Sequence, residues 1–129
     1  MNRFAQVEWG RARRALAVAE QAVPVDPDSA ASRAYYAAFH AVTALFALRG
    51  RSFKKHSALW AAVHRHLVNT REWPPELGRD YNSLLQLRAI GDYGGVANVS
   101  TDDAELALDK ARSVLDAVRE TCPELESTD

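Results

Sequence analysis

The chain has 129 residues, 47% of them hydrophobic, enough apolar surface for one core but not for two, so a single helical domain with a core over about residues 3–120 is expected. Charged residues make up 26% and nearly cancel to a net charge of -1, which excludes a globally basic nucleic-acid protein and an acidic disordered tail. Any basic site must therefore be local.

Met1-Asn2-Arg3-Phe4 opens directly into an amphipathic pattern, without the continuous apolar stretch of a signal peptide or membrane span, and the sequence reads as cytoplasmic. From about Arg3 to Val23, the residues Ala5, Trp9, Ala12, Leu16, Ala19 and Val23 recur at alternating steps of four and three, drawing one stripe along a helix that Pro24 stops. Asp26-Pro27-Asp28 signals a second start, because a carboxylate caps free amides and proline suits a first turn. The helix that follows, to about Arg49, is apolar almost all round, with Ala31, Tyr35, Ala38, Val42 and Leu45 on one face and Phe39, Phe46 and Ala47 beside it. Such an element is packed on several sides and should be central.

Gly50 ends it, and the basic connection Arg51-Ser52-Phe53-Lys54-Lys55 leads to a third helix holding Leu59, Trp60, Val63 and Leu67. Thr70 to Pro75 reads as a connection, with Pro75 in the first turn of a fourth helix on which Leu77, Tyr81, Leu84 and Arg88 share a face. That helix is expected to weaken at Gly91 and to break at Gly94-Gly95. Ser100-Thr101-Asp102-Asp103 opens a fifth, whose apolar stripe is Ala104, Ala107, Leu108, Ala111, Val114, Leu115 and Val118, and Pro123 ends it. With no strand alternation and only short connections, the fold class is all-α, an up-and-down bundle of four to five helices.

Within the central helix, Arg33 and His40 are seven positions apart and return to nearly the same angle, with Tyr36 between them. A polar stripe on so apolar an element either hydrogen-bonds to neighbouring helices and fixes their register, or contributes to a ligand-binding surface. On the fourth helix, Arg88 and Asp92 have the spacing of an ordinary helical ion pair.

Read together, Ser32-Arg33-Ala34-Tyr35-Tyr36-Ala37-Ala38-Phe39-His40-Ala41, then Lys55-His56-Ser57, then Leu77-Gly78-Arg79 with Asn82, then Leu87-Arg88-Ala89-Ile90-Gly91-Asp92-Tyr93, resemble one branch of the HEPN superfamily over about residues 3–120. The first block is the most specific. The resemblance implies a helical bundle pairing as a homodimer, and a partner that is a minimal nucleotidyltransferase antitoxin. It also implies metal-independent ribonuclease chemistry, in which an arginine holds phosphate and a histidine, separated from it by four to six residues, exchanges a proton. RNA is then the substrate class and no cofactor is expected. The alternative reading is a non-catalytic module that docks the nucleotidyltransferase and helps bind its nucleotide or acceptor.

Arg88 matches the arginine position, and Asp92 and Tyr93 complete the catalytic set that the resemblance implies. The histidine has no counterpart, since the window after Arg88 holds Tyr93, Gly94 and Gly95. A tyrosine, whose ordinary pKa is about 10, is a poor base at neutral pH, but Tyr93 is a candidate acceptor for modification by the partner enzyme. Arg33, Tyr36, His40, Lys54, Lys55, His56 and Arg79 are the candidate RNA- or nucleotide-binding residues. Lys54-Lys55-His56 is either a phosphate-binding run or a solvated helix edge, and Arg11, Arg13 and Arg14 form a second basic group. No Glu-x-x-His or His-x-x-x-His spacing occurs, so no metal site is expected, and the lone Cys122 reads as an incidental thiol.

Overall fold

Asn2 starts the first helix, its side-chain oxygen accepting the Ala5 amide at 3.0 Å while its amide nitrogen donates to the Ala47 carbonyl at 2.9 Å. In this computed structural model, which describes residues 2–94 and 98–126, helix α1 (Arg3–Ala22) buries Ala5, Trp9, Ala12 and Ala19 along the expected stripe. Asp26 caps α2 (Pro27–Leu48), accepting the Ser29 amide, and Pro27 occupies its first turn. Eight of the twelve buried residues of α2 are alanines, and α2 touches each of the other four α-helices, so the expected central role holds. Gly50, at φ 74°, supplies the left-handed turn that ends it.

Helix α3 (His56–Val63) runs into a π-helical turn over His64–Val68, closed by the Asn69 amide on the His64 carbonyl at 2.8 Å. Its Leu59, Val63 and Leu67 enter the core, but Trp60 does not. It is 39% exposed because its indole N–H turns outward to donate to the Asn82 side-chain oxygen at 2.6 Å.

Helix α4 (Pro75–Tyr93) buries Tyr81 and Leu84. It passes through Gly91 without a break, which corrects the expectation of a weak point there. A Cβ at Gly91 would lie 2.6 Å from the Asp28 carbonyl oxygen, so this glycine lets the end of α4 pack on the start of α2. Gly94, at φ 60°, then terminates the helix, with its amide on the Ile90 carbonyl at 2.9 Å. Gly95, the second residue of the expected break, lies outside the described residues.

Ser100 caps α5 (Thr101–Thr121) through the Asp103 amide at 3.0 Å, and Asp28 accepts the Val99 amide at 2.8 Å, tying the entry of α5 to the start of α2. Beyond α5, the single turn Pro123–Glu126 folds back on α1, where Glu126 accepts from the Trp9 indole and from Arg119, both at 2.8 Å. The core contains Trp9, Tyr35, Phe46 and Tyr81, and burying a large apolar side chain of this kind stabilises the fold by roughly 1.5–3 kcal/mol. Among the described residues there is no strand, and no helix is long and apolar enough to cross a membrane.

Candidate functional site

Helix α4 presents Arg88 toward the face of α2 that carries Tyr35 and Tyr36, the register being fixed one and two turns earlier by the burial of Leu84 and Tyr81. Its Nε donates to Asp92 at 2.9 Å, as the four-residue spacing requires, and its Nη2 donates to the Tyr36 hydroxyl at 3.2 Å. The guanidinium carbon also lies 5.3 Å from the Tyr35 ring, 5.4 Å from the Tyr36 ring and 5.8 Å from the Tyr93 ring. Burial opposes its charge, but the Tyr36 hydroxyl and the Asp92 carboxylate outweigh that effect and hold the guanidinium above its ordinary pKa. Arg88 is thus a permanent cation, oriented from both ends, with 19% of its side chain exposed.

Two histidines border the same aromatic cluster. His56, at the start of α3, stacks on Phe39 at 4.4 Å and lies edge-on to Tyr36 at 5.8 Å. Its Nδ1 is 2.8 Å from the Tyr35 hydroxyl, whose pKa burial pushes up to about 12. The phenol stays neutral, and it donates to Nδ1 whenever the ring carries its proton on Nε2. Burial, then electrostatic repulsion from the Arg88 and His40 side chains, lower the His56 pKa. His40, on α2, lies 6.3 Å from the Tyr36 ring and 5.3 Å from the Phe39 ring. Its Nδ1 bonds the Glu8 carboxylate at 2.9 Å.

Arg33, Tyr36, His40, His56, Arg88, Asp92 and Tyr93 are thereby brought together around one aromatic patch, with the Arg33 guanidinium 4.9 Å from the Tyr36 ring. Tyr93 sits at the rim, 74% exposed. Lys54, Lys55 and Arg79 are exposed, and no hydrogen bond, ion pair or ring contact joins them to the patch. Lys54 and Lys55 precede His56 at the solvated start of α3.

The residue that the sequence pattern does not single out is Glu8, a carboxylate only 3% exposed. A signal was present, since Glu8 stands three residues after Ala5 and four before Ala12, on the border of the α1 stripe. Beside it, Arg11, Arg14, Arg33 and His40 line a groove of about 420 Å³ between α1 and α2. Arg33 also lines an adjoining hollow of about 380 Å³ with Ser32, Gly91 and Asp92. A larger hollow of about 490 Å³, at Glu20, Leu108 and Arg112, includes none of these site residues. Among the described residues no cluster of His, Cys, Asp or Glu has the arrangement of a metal site. Cys122 is buried, and burial raises its thiol pKa.

Comparison with known proteins agrees with this architecture. The HEPN domain matches residues 5–121. A UPF0332 protein of Thermotoga maritima is 38% identical over 98 residues, which cover 76% of this chain and 74% of the relative. A UPF0332 protein of Gloeobacter violaceus is 33% identical over 82 residues, covering 63% and 65% of the two chains. A Methanocaldococcus jannaschii protein named "putative toxin" is 29% identical over 92 residues, covering 71% and 63%. The crystal structure of TT1696 from Thermus thermophilus superposes with a TM-score of 0.77 at 25% identity, across 93% of this chain and 98% of that one. With the family's domain spanning nearly all the described helices, and the Arg33 to His40 block and Arg88 gathered on one face, this chain belongs to the HEPN domain family.

Proposed function

We propose that the chain is the toxin component of a toxin–antitoxin module, acting on RNA as a metal-independent ribonuclease through the face around Arg88 and restrained by a minimal nucleotidyltransferase. The observation that carries this reading is the mounting of Arg88: a permanent cation, fixed by Asp92 and Tyr36, left partly open to solvent, and bordered by two imidazoles. A phosphodiester needs such a constellation, because the developing negative charge must meet a positioned donor fork and protons must move near neutral pH. The relative named "putative toxin" supports the same reading. Pairing of two copies would bring a second Arg88 face into a shared cleft.

Expressing the full chain without its partner, and following growth and total RNA, tests the proposal. Growth arrest with fragmented RNA is expected, and Arg88→Ala should abolish both. Unimpaired growth and intact RNA in cells holding abundant folded protein would refute it.

A second reading, a binding module that docks the nucleotidyltransferase without cleaving RNA, is favoured by one specific observation. The residues after Arg88 place Tyr93, Gly94 and Gly95 where the usual motif has its histidine. Stable co-purification with that partner, combined with intact RNA at every pH tried, would select this reading.

A further inference from the structure

A carboxylate as buried as Glu8 is costly unless it is paired on every side. Here one oxygen accepts from Arg11 at 2.8 Å and the other meets His40 Nδ1 at 2.9 Å. An ionised carboxylate only accepts, so the proton of a neutral His40 must sit on Nδ1. Nε2 then carries the lone pair, without a partner among the described residues, on a side chain that is 22% exposed and lines the groove with Arg11, Arg14 and Arg33. His56 differs in that its Nδ1 meets the neutral Tyr35 hydroxyl at 2.8 Å and, among the described residues, no carboxylate orients its ring.

We propose that His40, held by Glu8, is the general base of RNA cleavage in this chain, replacing from α2 the histidine that the segment after Arg88 lacks. This rests on the ribonuclease reading above and adds to it the proton-transfer residue. His40 and Arg88 both border Tyr36, the one 6.3 Å from its ring and the other on its hydroxyl at 3.2 Å, which puts base and cation on either side of one side chain. In the step, His40 Nε2 takes the proton of a ribose 2′-hydroxyl, and the 2′ oxygen forms a bond to phosphorus as the bond from phosphorus to the 5′ oxygen breaks. Arg88 neutralises charge on the non-bridging oxygens. The leaving oxygen gains a proton from solvent and His40 returns its own to solvent, leaving a 2′,3′-cyclic phosphate and a 5′-hydroxyl. Glu8 is a positioning residue, since it acts through the ring that it orients.

The test uses the purified full chain and a labelled RNA oligonucleotide, with an all-deoxy oligonucleotide as the uncleavable control. His40→Ala should lower kcat on the order of 100-fold with KM little changed, and imidazole added to the buffer should restore part of the rate. Rescue of that kind is not expected of a residue that only holds the bundle together. Glu8→Gln should lower kcat about tenfold at unchanged KM. Should the alanine variant unfold, His40→Gln keeps a donor for Glu8, and the same loss of kcat is expected. If Arg88→Ala abolishes cleavage while either folded His40 variant cleaves like the parent, the assignment of His40 is overturned and the ribonuclease reading stands. If the parent leaves RNA intact, or its cleavage is indifferent to Arg88, both fall.

Discussion

The guanidinium of Arg88 on α4 donates to the hydroxyl of Tyr36 on α2 at 3.2 Å, joining residues 52 positions apart. Both groups are partly solvated, so the bond contributes little to stability, and its role is to aim the cation. Tyr36→Phe and Arg88→Ala should each shift the folding free energy by about 1 kcal/mol or less, and a double-mutant cycle should return a coupling of roughly 0.5–1 kcal/mol. Urea unfolding followed by circular dichroism checks both figures. A loss of several kcal/mol in the Arg88 variant would make the arginine a structural member of the core.

His56 has a lowered pKa in the folded chain, from burial first and then from Arg88 and His40. The folded state therefore binds fewer protons than the unfolded one just below the ordinary imidazole value of 6.5, and stability falls as pH drops through that value toward the folded pKa, then levels off. His66, also lowered, adds to the same window. Asp26 and Glu126, held below their ordinary values by hydrogen bonds, add a separate decline only once pH falls below about 4.5. Denaturation midpoints between about pH 8 and about pH 5 should decrease, and His56→Gln should remove part of that slope. A flat profile in the parent would contradict the packing described for His56.

Two glycines within helices should respond oppositely to alanine. At Gly91 a Cβ would meet the Asp28 carbonyl oxygen at 2.6 Å, so Gly91→Ala must push α4 away from α2 and is expected to cost about 1–3 kcal/mol. At Gly10 the nearest atom is the end of the Arg14 side chain at 3.4 Å, an ordinary contact. Gly10→Ala should therefore stabilise by about 0.5–1 kcal/mol through helix propensity alone. Thermal unfolding of the two variants against the parent measures the difference, and equal shifts would show that the close approach at Gly91 is not what limits that position.

Glu126 fastens the last turn onto α1 by accepting from Trp9 and Arg119. Glu126→Ala removes the acceptor of an indole N–H on a side chain that is only 2% exposed, and a loss of about 1–2 kcal/mol is expected. The urea midpoint reads it. An unchanged midpoint would mean that the Trp9 indole finds another acceptor at no cost.

The helices were legible because their local signals agree with their packing. Asp26 and Ser100 cap, Pro27 and Pro75 start, and the stripes of α1 and α5 bury as their spacing requires. What periodicity could not convey was the distance between backbones. Gly91 resembles a helix breaker in one dimension, yet it is a point of contact with Asp28 in three. Trp60 counts as apolar in any pattern, although an acceptor on Asn82 draws it outward. The site was half legible. The block from Arg33 to His40 and the pair Arg88–Asp92 each showed a face, but nothing in a linear reading placed His56 against Phe39, or Glu8 beneath His40. Those depend on which helices touch, and that is decided by the whole core.

The alanine-rich surface of α2 governs how thick the wall is between the site's components. A methyl group at eight inward positions keeps the neighbouring backbones near enough for short reaches, so that a glutamate from α1, an imidazole from α3 and a guanidinium from α4 all arrive at residues of one helix. Enlarging any one of those methyls would act as a shim, altering the clearance between polar groups that lie some distance away. The arrangement of such a face is thus adjustable from the bundle's least polar side chains.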